Sequence, residues 1–249
     1  MSETISDPLL LKRCTRCVMP ETQEMIRFDE NGVCQTCHNI EVKQQIDWNA
    51  KEQEFLTLVD QYRGKYQYDC LVPFSGGKDS TYTVYALVKK YHLRPLVVSF
   101  DHHLMRPGVI ANAERAIKRL GVDVIRFRAN WQLIKKTMRV ALERKGEILW
   151  YQHSGIFSFP MHMAIKFNVP LIIWGEPSAE YGSYYGYDEQ EEVDERRFNM
   201  FVNLGITAED MLGMLNDPTI TMKDLWPFTF PKREALRAIQ CRSICLGSF

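Results

Sequence analysis

Between Cys70 and Tyr91 the chain changes character twice. The apolar run Cys70-Leu71-Val72 leads into Pro73-Phe74-Ser75-Gly76-Gly77-Lys78-Asp79-Ser80, and a helical pattern then spans Ser80–Tyr91. A strand, a tight loop and a helix N-terminus in succession set a narrow choice of architecture. The adjacent glycines have no Cβ, so the backbone can turn sharply and bring its N–H groups close to an anion of phosphate size. The helix that follows aims its unpaired N–H groups and positive end at the same spot. Ser75 and Ser80 add hydroxyl donors, and Lys78 adds a point charge. Asp79 is a carboxylate beside a phosphate site, which makes sense with a magnesium ion between them.

The rest of the chain from Tyr68 alternates in the same way. Strands are expected at Cys70–Phe74, Pro95–Asp101, Val122–Arg128 and Val169–Trp174, and helices at Ser80–Tyr91, Val109–Leu120, Trp131–Lys145 and Ser154–Phe167. The strands are short apolar runs rich in β-branched residues and largely without alternation, as befits strands covered on both faces. The fold class is therefore α/β, a doubly wound parallel sheet. Ligands of such sheets sit beyond the carboxyl ends of the strands. The glycine loop, Asp101-His102-His103 and Gly175-Glu176-Pro177 all fall at strand ends, so they are expected to converge on one rim. The segment Gly175–Tyr187 carries four tyrosines, three glycines and two glutamates. Aromatic faces with hydroxyl tips suit a sugar or a base. Asp188–Glu195 reads as a solvated or helix-starting acidic run.

Ahead of this body stand two pairs of cysteines, Cys14-Thr15-Arg16-Cys17 and Cys34-Gln35-Thr36-Cys37, separated by sixteen residues. Each C-x-x-C knuckle places two thiolates near the separation that tetrahedral zinc requires, and two knuckles close the site. Met25–Val33 reads as a strand with an Asn-Gly turn, so residues 14–38 look like a zinc-ribbon-like module with a structural metal. An iron–sulfur cluster and an accidental pattern are the alternatives. His38 reads as a bystander. Glu41–Tyr62 is a helical stretch closed by Arg63-Gly64-Lys65. The expected organisation is a zinc-binding module over 1–40, a connecting helix over 41–66 and the α/β domain over 67–249. With 31 basic and 31 acidic side chains the net charge is zero, which gives no electrostatic footprint for nucleic acid. No run is long and apolar enough for a signal or a membrane span, which points to the cytoplasm. In that compartment seven cysteines speak for metal or catalysis rather than disulfides.

The glycine loop is neither G-x-x-x-x-G-K-[ST] nor G-x-G-x-x-G. Ser75-Gly76-Gly77-Lys78-Asp79-Ser80 resembles the pyrophosphate loop of the PP-loop ATP pyrophosphatases. With Cys14-Thr15-Arg16-Cys17-Val18-Met19-Pro20-Glu21-Thr22, Phe28–Cys34, Trp174-Gly175-Glu176 and Glu180-Tyr181-Gly182, the chain resembles the N-acetyl sugar amidotransferases of the PseA/WbpG type. These serve bacterial O-antigen, lipopolysaccharide and pseudaminic-acid biosynthesis. The resemblance runs from about Cys14 to the end, and it implies further chain beyond the strand expected at Arg242–Phe249.

The resemblance implies a chemistry. ATP, bound with Mg2+ by Ser75, Gly76, Gly77, Lys78, Asp79, Ser80, Asp101 and Gly175, would adenylate the acetamido oxygen of a sugar or nucleotide sugar. Ammonia would then expel AMP and leave an acetamidino group. Lys78 and Asp79 would act on the phosphates. Glu176 or Glu180 would orient the sugar or accept a proton from ammonia. Tyr181, Gly182 and Tyr184 would contact the substrate. No cysteine sits on a glutaminase-type elbow, so the family resemblance implies a separate glutaminase subunit as ammonia source. Two rivals remain at this stage. One is a PP-loop tRNA sulfurtransferase using Cys241 or Cys245. The other is a nucleotide-binding scaffold that only docks a glutaminase.

Overall fold

The structure is a computed structural model, and it describes residues 11–22, 26–175, 198, 202–203 and 205–249. The chain divides into two compact units. One contains the described residues up to Phe55 together with Gly247–Phe249. The other contains Leu56–Gly175 and the described residues from Phe198 to Leu246. The division falls within a helix of the expected connecting segment.

The larger unit is built on five parallel strands: β1 (Cys70–Pro73), β2 (Pro95–Asp101), β3 (Asp123–Arg128), β4 (Leu171–Trp174) and β5 (Arg242–Cys245). Their order is β3-β2-β1-β4-β5, and each neighbouring pair is parallel. The four strands expected from the sequence and the late strand near Arg242 are all present. From β1 the chain moves outward through α3 (Lys78–Tyr85), β2, α4 (Pro107–Leu120) and β3. It then crosses back through α5 (Trp131–Lys145) and α6 (Trp150–Phe167) to place β4 on the other side of β1. Right-handed crossovers running in opposite directions cover opposite faces. Accordingly α3 touches α4 and β1, while α6 touches α5, β1, β2 and β4. The strand order reverses between β1 and β4, which is where open α/β sheets open a crevice.

The core follows the strand period. Leu71, Leu96, Val98, Phe100, Ile172 and Trp174 lie on one face with Trp150, Phe159 and Phe228, all buried. Val72, Val97 and Ile173 alternate to the other face and are equally buried. β3 departs from the expected pattern. It is an edge strand, with Asp123, Arg126 and Arg128 exposed, so it is covered less completely than its neighbours. The helix expected over Ser80–Tyr91 is α-helical only to Tyr85 and widens to a π-turn over Ala86–Lys90. Two further helices outside the expected set, α7 (Ala208–Leu215) and α8 (Arg233–Ala238), are short, at eight and six residues. A reciprocal capping box between Thr207 and Asp210 starts α7.

In the smaller unit the expected strand over Met25–Val33 is reduced, among the described residues, to the antiparallel bridge Phe28↔Cys34; a second bridge joins Arg13 to Pro20. The turn itself is present: Gly32 has φ +75, and Asp29 Oδ1 accepts from Asn31 and Val33 N–H at 2.9 and 2.8 Å. The single connecting helix expected over 41–66 is two helices. α1 (Gln35–Gln45) grows directly out of the second knuckle, and α2 (Trp48–Val59) follows after Ile46-Asp47. Asp47 Oδ1 caps α2 by accepting from Asn49 and Ala50 N–H, and this local cap starts the second helix.

Candidate nucleotide site and metal centre

The loop after β1 is anchored where Phe74 N–H donates to Val98 O at 2.8 Å. It then turns at Gly76, whose φ is +78 and whose missing Cβ would sit 3.0 Å from Cβ of Ala113 on α4. A side chain at this position would be both strained and crowded. Gly77 is the N-cap of α3 and offers no side-chain cap, so the first N–H groups of the helix have no intrahelical acceptor and face the loop. Two hydroxyls brace the turn. Ser75 Oγ and Ser80 Oγ lie 3.1 Å apart, Gly77 N–H donates to Ser75 Oγ at 3.3 Å, and Ser75 N–H donates to Ser80 Oγ at 3.3 Å. Lys78 is 87% exposed and pairs with Asp79 at 2.5 Å. An exposed pair of this kind is weak, so Lys78 can transfer to a phosphate at little cost.

Gly175 at the end of β4 reaches this same loop helix. A Cβ there would stand 2.8 Å from Thr83 Oγ1 and 3.7 Å from the Asp79 carbonyl. Thr83 Oγ1 in turn donates to Asp79 O at 2.9 Å. The end of β4 thus packs against the first two turns of α3, the helix that follows the loop after β1. Thr83 escapes sequence reasoning because its hydroxyl works inside an ordinary helical pattern.

Asp101 lies at the carboxyl end of β2, beside β1, and is buried. Its Oδ2 accepts from Arg128 Nε at 2.7 Å and its Oδ1 from His103 N–H at 2.9 Å. Burial pushes this carboxyl up, but the His103 N–H and the Arg128 guanidinium outweigh it and hold it below the ordinary carboxylate value. The arrangement fixes the loop after β2, with His103 Nε2 on Ala129 O at 2.7 Å and Tyr151 OH donating to His102 O at 2.9 Å. Arg128 is the residue that the sequence reading overlooked; the alternation Arg126-Phe127-Arg128 on an edge strand was its signal. Glu176, Glu180, Tyr181, Gly182 and Tyr184 lie outside the described residues.

In the smaller unit the ligand atoms of Cys14, Cys17, Cys34 and Cys37 all lie within 4.8 Å of one another. Cys14 Sγ is 3.8 Å from Cys37 Sγ, and Cys17 Sγ is 3.5 Å from Cys34 Sγ. These separations are too long for disulfides. They fit tetrahedral zinc, whose sulfur ligands at about 2.3 Å stand about 3.8 Å apart. Backbone N–H groups of Arg16, Cys17 and Cys34 point at Cys14 Sγ at 3.4, 3.5 and 3.2 Å. Burial pushes the Cys14 thiol up, but these N–H groups outweigh it and bring it down to about 6. Burial and the neighbouring sulfurs push Cys37 up to about 12. Four thiols this close cannot all ionise without a cation among them. Four protein sulfurs would fill the coordination of a tetrahedral ion, so a metal held here would be closed off and structural in kind. His38 has both ring nitrogens engaged, by Asp29 at 3.0 Å and Glu41 at 3.3 Å, and so stands apart from the sulfurs.

No protein-family model matches the chain. An uncharacterized protein of Methanocaldococcus jannaschii is 31% identical over 116 residues, which are 45% of this chain and 41% of that protein. The glutamine-hydrolyzing GMP synthase of Pyrobaculum aerophilum is 32% identical over 113 residues, 45% of this chain and 22% of the synthase. This chain thus spans less than half the length of either relative. Among solved structures, a predicted subunit of a tRNA methyltransferase from Methanocaldococcus jannaschii aligns over 69% of this chain and 73% of that one, at 18% identity and a TM-score of 0.33. Nearly half of the chain therefore has a remote homologue in part of a GMP synthase. Among the described residues no helix is long and apolar enough to cross a membrane.

Proposed function

We propose that the loop Ser75–Ser80 is a PP-loop that binds the phosphates of ATP, and that the chain is the AMP-forming part of an N-acetyl sugar amidotransferase. The observation that carries the ATP reading is the uncapped N-terminus of α3 behind Ser-Gly-Gly at the point where the strand order reverses. The stretch shared with a GMP synthase supports ATP use of the same kind. The sugar reading rests on the motif combination in the sequence.

Loop N–H groups and Lys78 would neutralise charge on the departing pyrophosphate. Asp79 is the loop carboxylate able to hold Mg2+, which would supply further charge neutralisation. The acetamido oxygen forms a bond to the α-phosphorus as pyrophosphate leaves. Ammonia, from a separate glutaminase, then adds to the imidate carbon, and the C–O bond breaks to release AMP. An amide oxygen is a poor leaving group, and adenylation makes it a good one.

The test is AMP production from ATP and Mg2+ with candidate N-acetylated sugars and ammonium. Lys78→Ala should abolish it while the thermal transition stays in place, and retained AMP production would defeat the loop assignment. Product mass should fall by about one dalton, the exchange of oxygen for NH. Consumption of a sulfur donor alone would transfer the reading to a sulfurtransferase.

A further inference from the structure

A cavity of about 380 Å³ opens beside the carboxyl end of β3, between the start of α5 and the segment Thr219–Pro227. Its size lies within the roughly 300–1,000 Å³ of small-molecule sites. Phe127, Leu133, Ile220 and Trp226 form its apolar side. Trp226 is held there by edge contacts to Phe127 and His162, at 66° and 81°, yet stays 37% exposed. Asn130, Gln132, Thr219, Lys223 and Asp224 form the polar side.

The hydrogen-bonding capacity left on that polar side selects the ligand. Asn130 uses its carbonyl oxygen to cap Gln132 N–H at 2.8 Å, which leaves its two amide hydrogens. Asp224 uses Oδ2 for the N–H and hydroxyl of Thr221, both at 2.8 Å, which leaves Oδ1. Lys136 is neutralised by Asp217, whose Oδ1 takes the Thr219 hydroxyl proton at 2.6 Å and so leaves Thr219 as an acceptor only. The cavity thus offers donors and acceptors together, with one cation and one carboxylate besides. An anion would meet Asp224, and a cation would meet Lys223. A purely apolar body would make no use of the amides of Asn130 and Gln132. A neutral ring with several hydroxyls matches both demands, laying its C–H face on Trp226 and its hydroxyls toward the amides, Thr219, Lys223 and Asp224.

We infer that this cavity is a sugar-binding site. As a binding site it stands on the cavity alone; that the sugar is the acceptor of the adenylyl group rests on the proposed function. The placement suits that role. β3 is two strands from β1, a lateral separation of roughly 10 Å, and all parallel strands end on the same rim. A pyranose here lies alongside the loop and not within it.

The test uses 15N-labelled protein and the indole N–H signals of its five tryptophans, titrated with N-acetylglucosamine. The Trp226 signal, identified by its loss in Trp226→Phe, should move saturably with the sugar and stay fixed with phenol and with sulfate. Gln132→Ala should weaken binding roughly three- to tenfold, the loss of one or two neutral hydrogen bonds, and Lys223→Gln by a similar factor. Both side chains are exposed, so both variants should fold like the parent. A static Trp226 signal, or one that phenol moves equally, would overturn the assignment. ATP binding measured on the same sample separates the two readings. Lost sugar binding with retained ATP binding sinks only the cavity, and the reverse sinks only the loop.

Discussion

At Asp101 the carboxylate is buried while its guanidinium partner is 61% exposed. The carboxyl therefore depends on Arg128 and the His103 N–H for its charge. Its folded value lies below the ordinary 3.8. The stabilisation is present above that ordinary value and is lost as pH falls through the depressed one. Arg128→Ala should cost about 1 kcal/mol at neutral pH, a charge-assisted bond discounted for water around the guanidinium. The gap in melting temperature between parent and variant should close below about pH 4; a gap that widens in acid would contradict the pairing. Gly76 makes a second residue-level case. Gly76→Ala places a Cβ at φ +78, 3.0 Å from Ala113 Cβ. It should destabilise the protein by about 1–2 kcal/mol and abolish ATP binding. Unchanged affinity for an ATP analogue would show that the loop does not need this turn.

Among the elements, the strands were the most readable. Runs such as Leu96-Val97-Val98 are buried on both faces. The cysteine pairs were equally readable, because ligand spacing is a local property. What escaped has two causes, single hydrogen bonds that leave the apolar pattern unchanged and contacts between distant residues. The break between α1 and α2 is decided by Asp47 turning back on Asn49 and Ala50. The π-turn after Tyr85 leaves the apolar pattern of its helix almost unchanged. The cavity beside β3 joins residues of Phe127–Lys136 to residues of Thr219–Pro227, and no local pattern marks it. At this scale the knuckles give the sharpest prediction. One zinc per chain is expected by metal analysis, lost in Cys14→Ser. Because so small a unit has little core beyond its sulfurs, losing the metal should unfold it. A Cys14→Ser protein that keeps both zinc and its melting profile would refute the centre.

For the molecule as a whole, parallel strands put every carboxyl end on one rim. The loop, Asp101, Gly175 and the cavity beside β3 are all positioned by that single fact. The opposite edge is fastened separately. Asp69 accepts from Gly64 and Arg94 N–H at 2.7 Å each, and Tyr68 OH donates to Asp123 at 2.9 Å. The seven sulfurs are sorted just as sharply. None is in a disulfide, four surround one point, Cys70 and Cys245 are buried, and Cys241 is partly exposed. In metal-loaded protein an alkylating reagent should modify Cys241 alone at speed, and a chelator should raise the count to five. The molecule thus carries its own gauge of occupancy, in which the pace of colour development with a thiol dye reports how much of a preparation was assembled correctly.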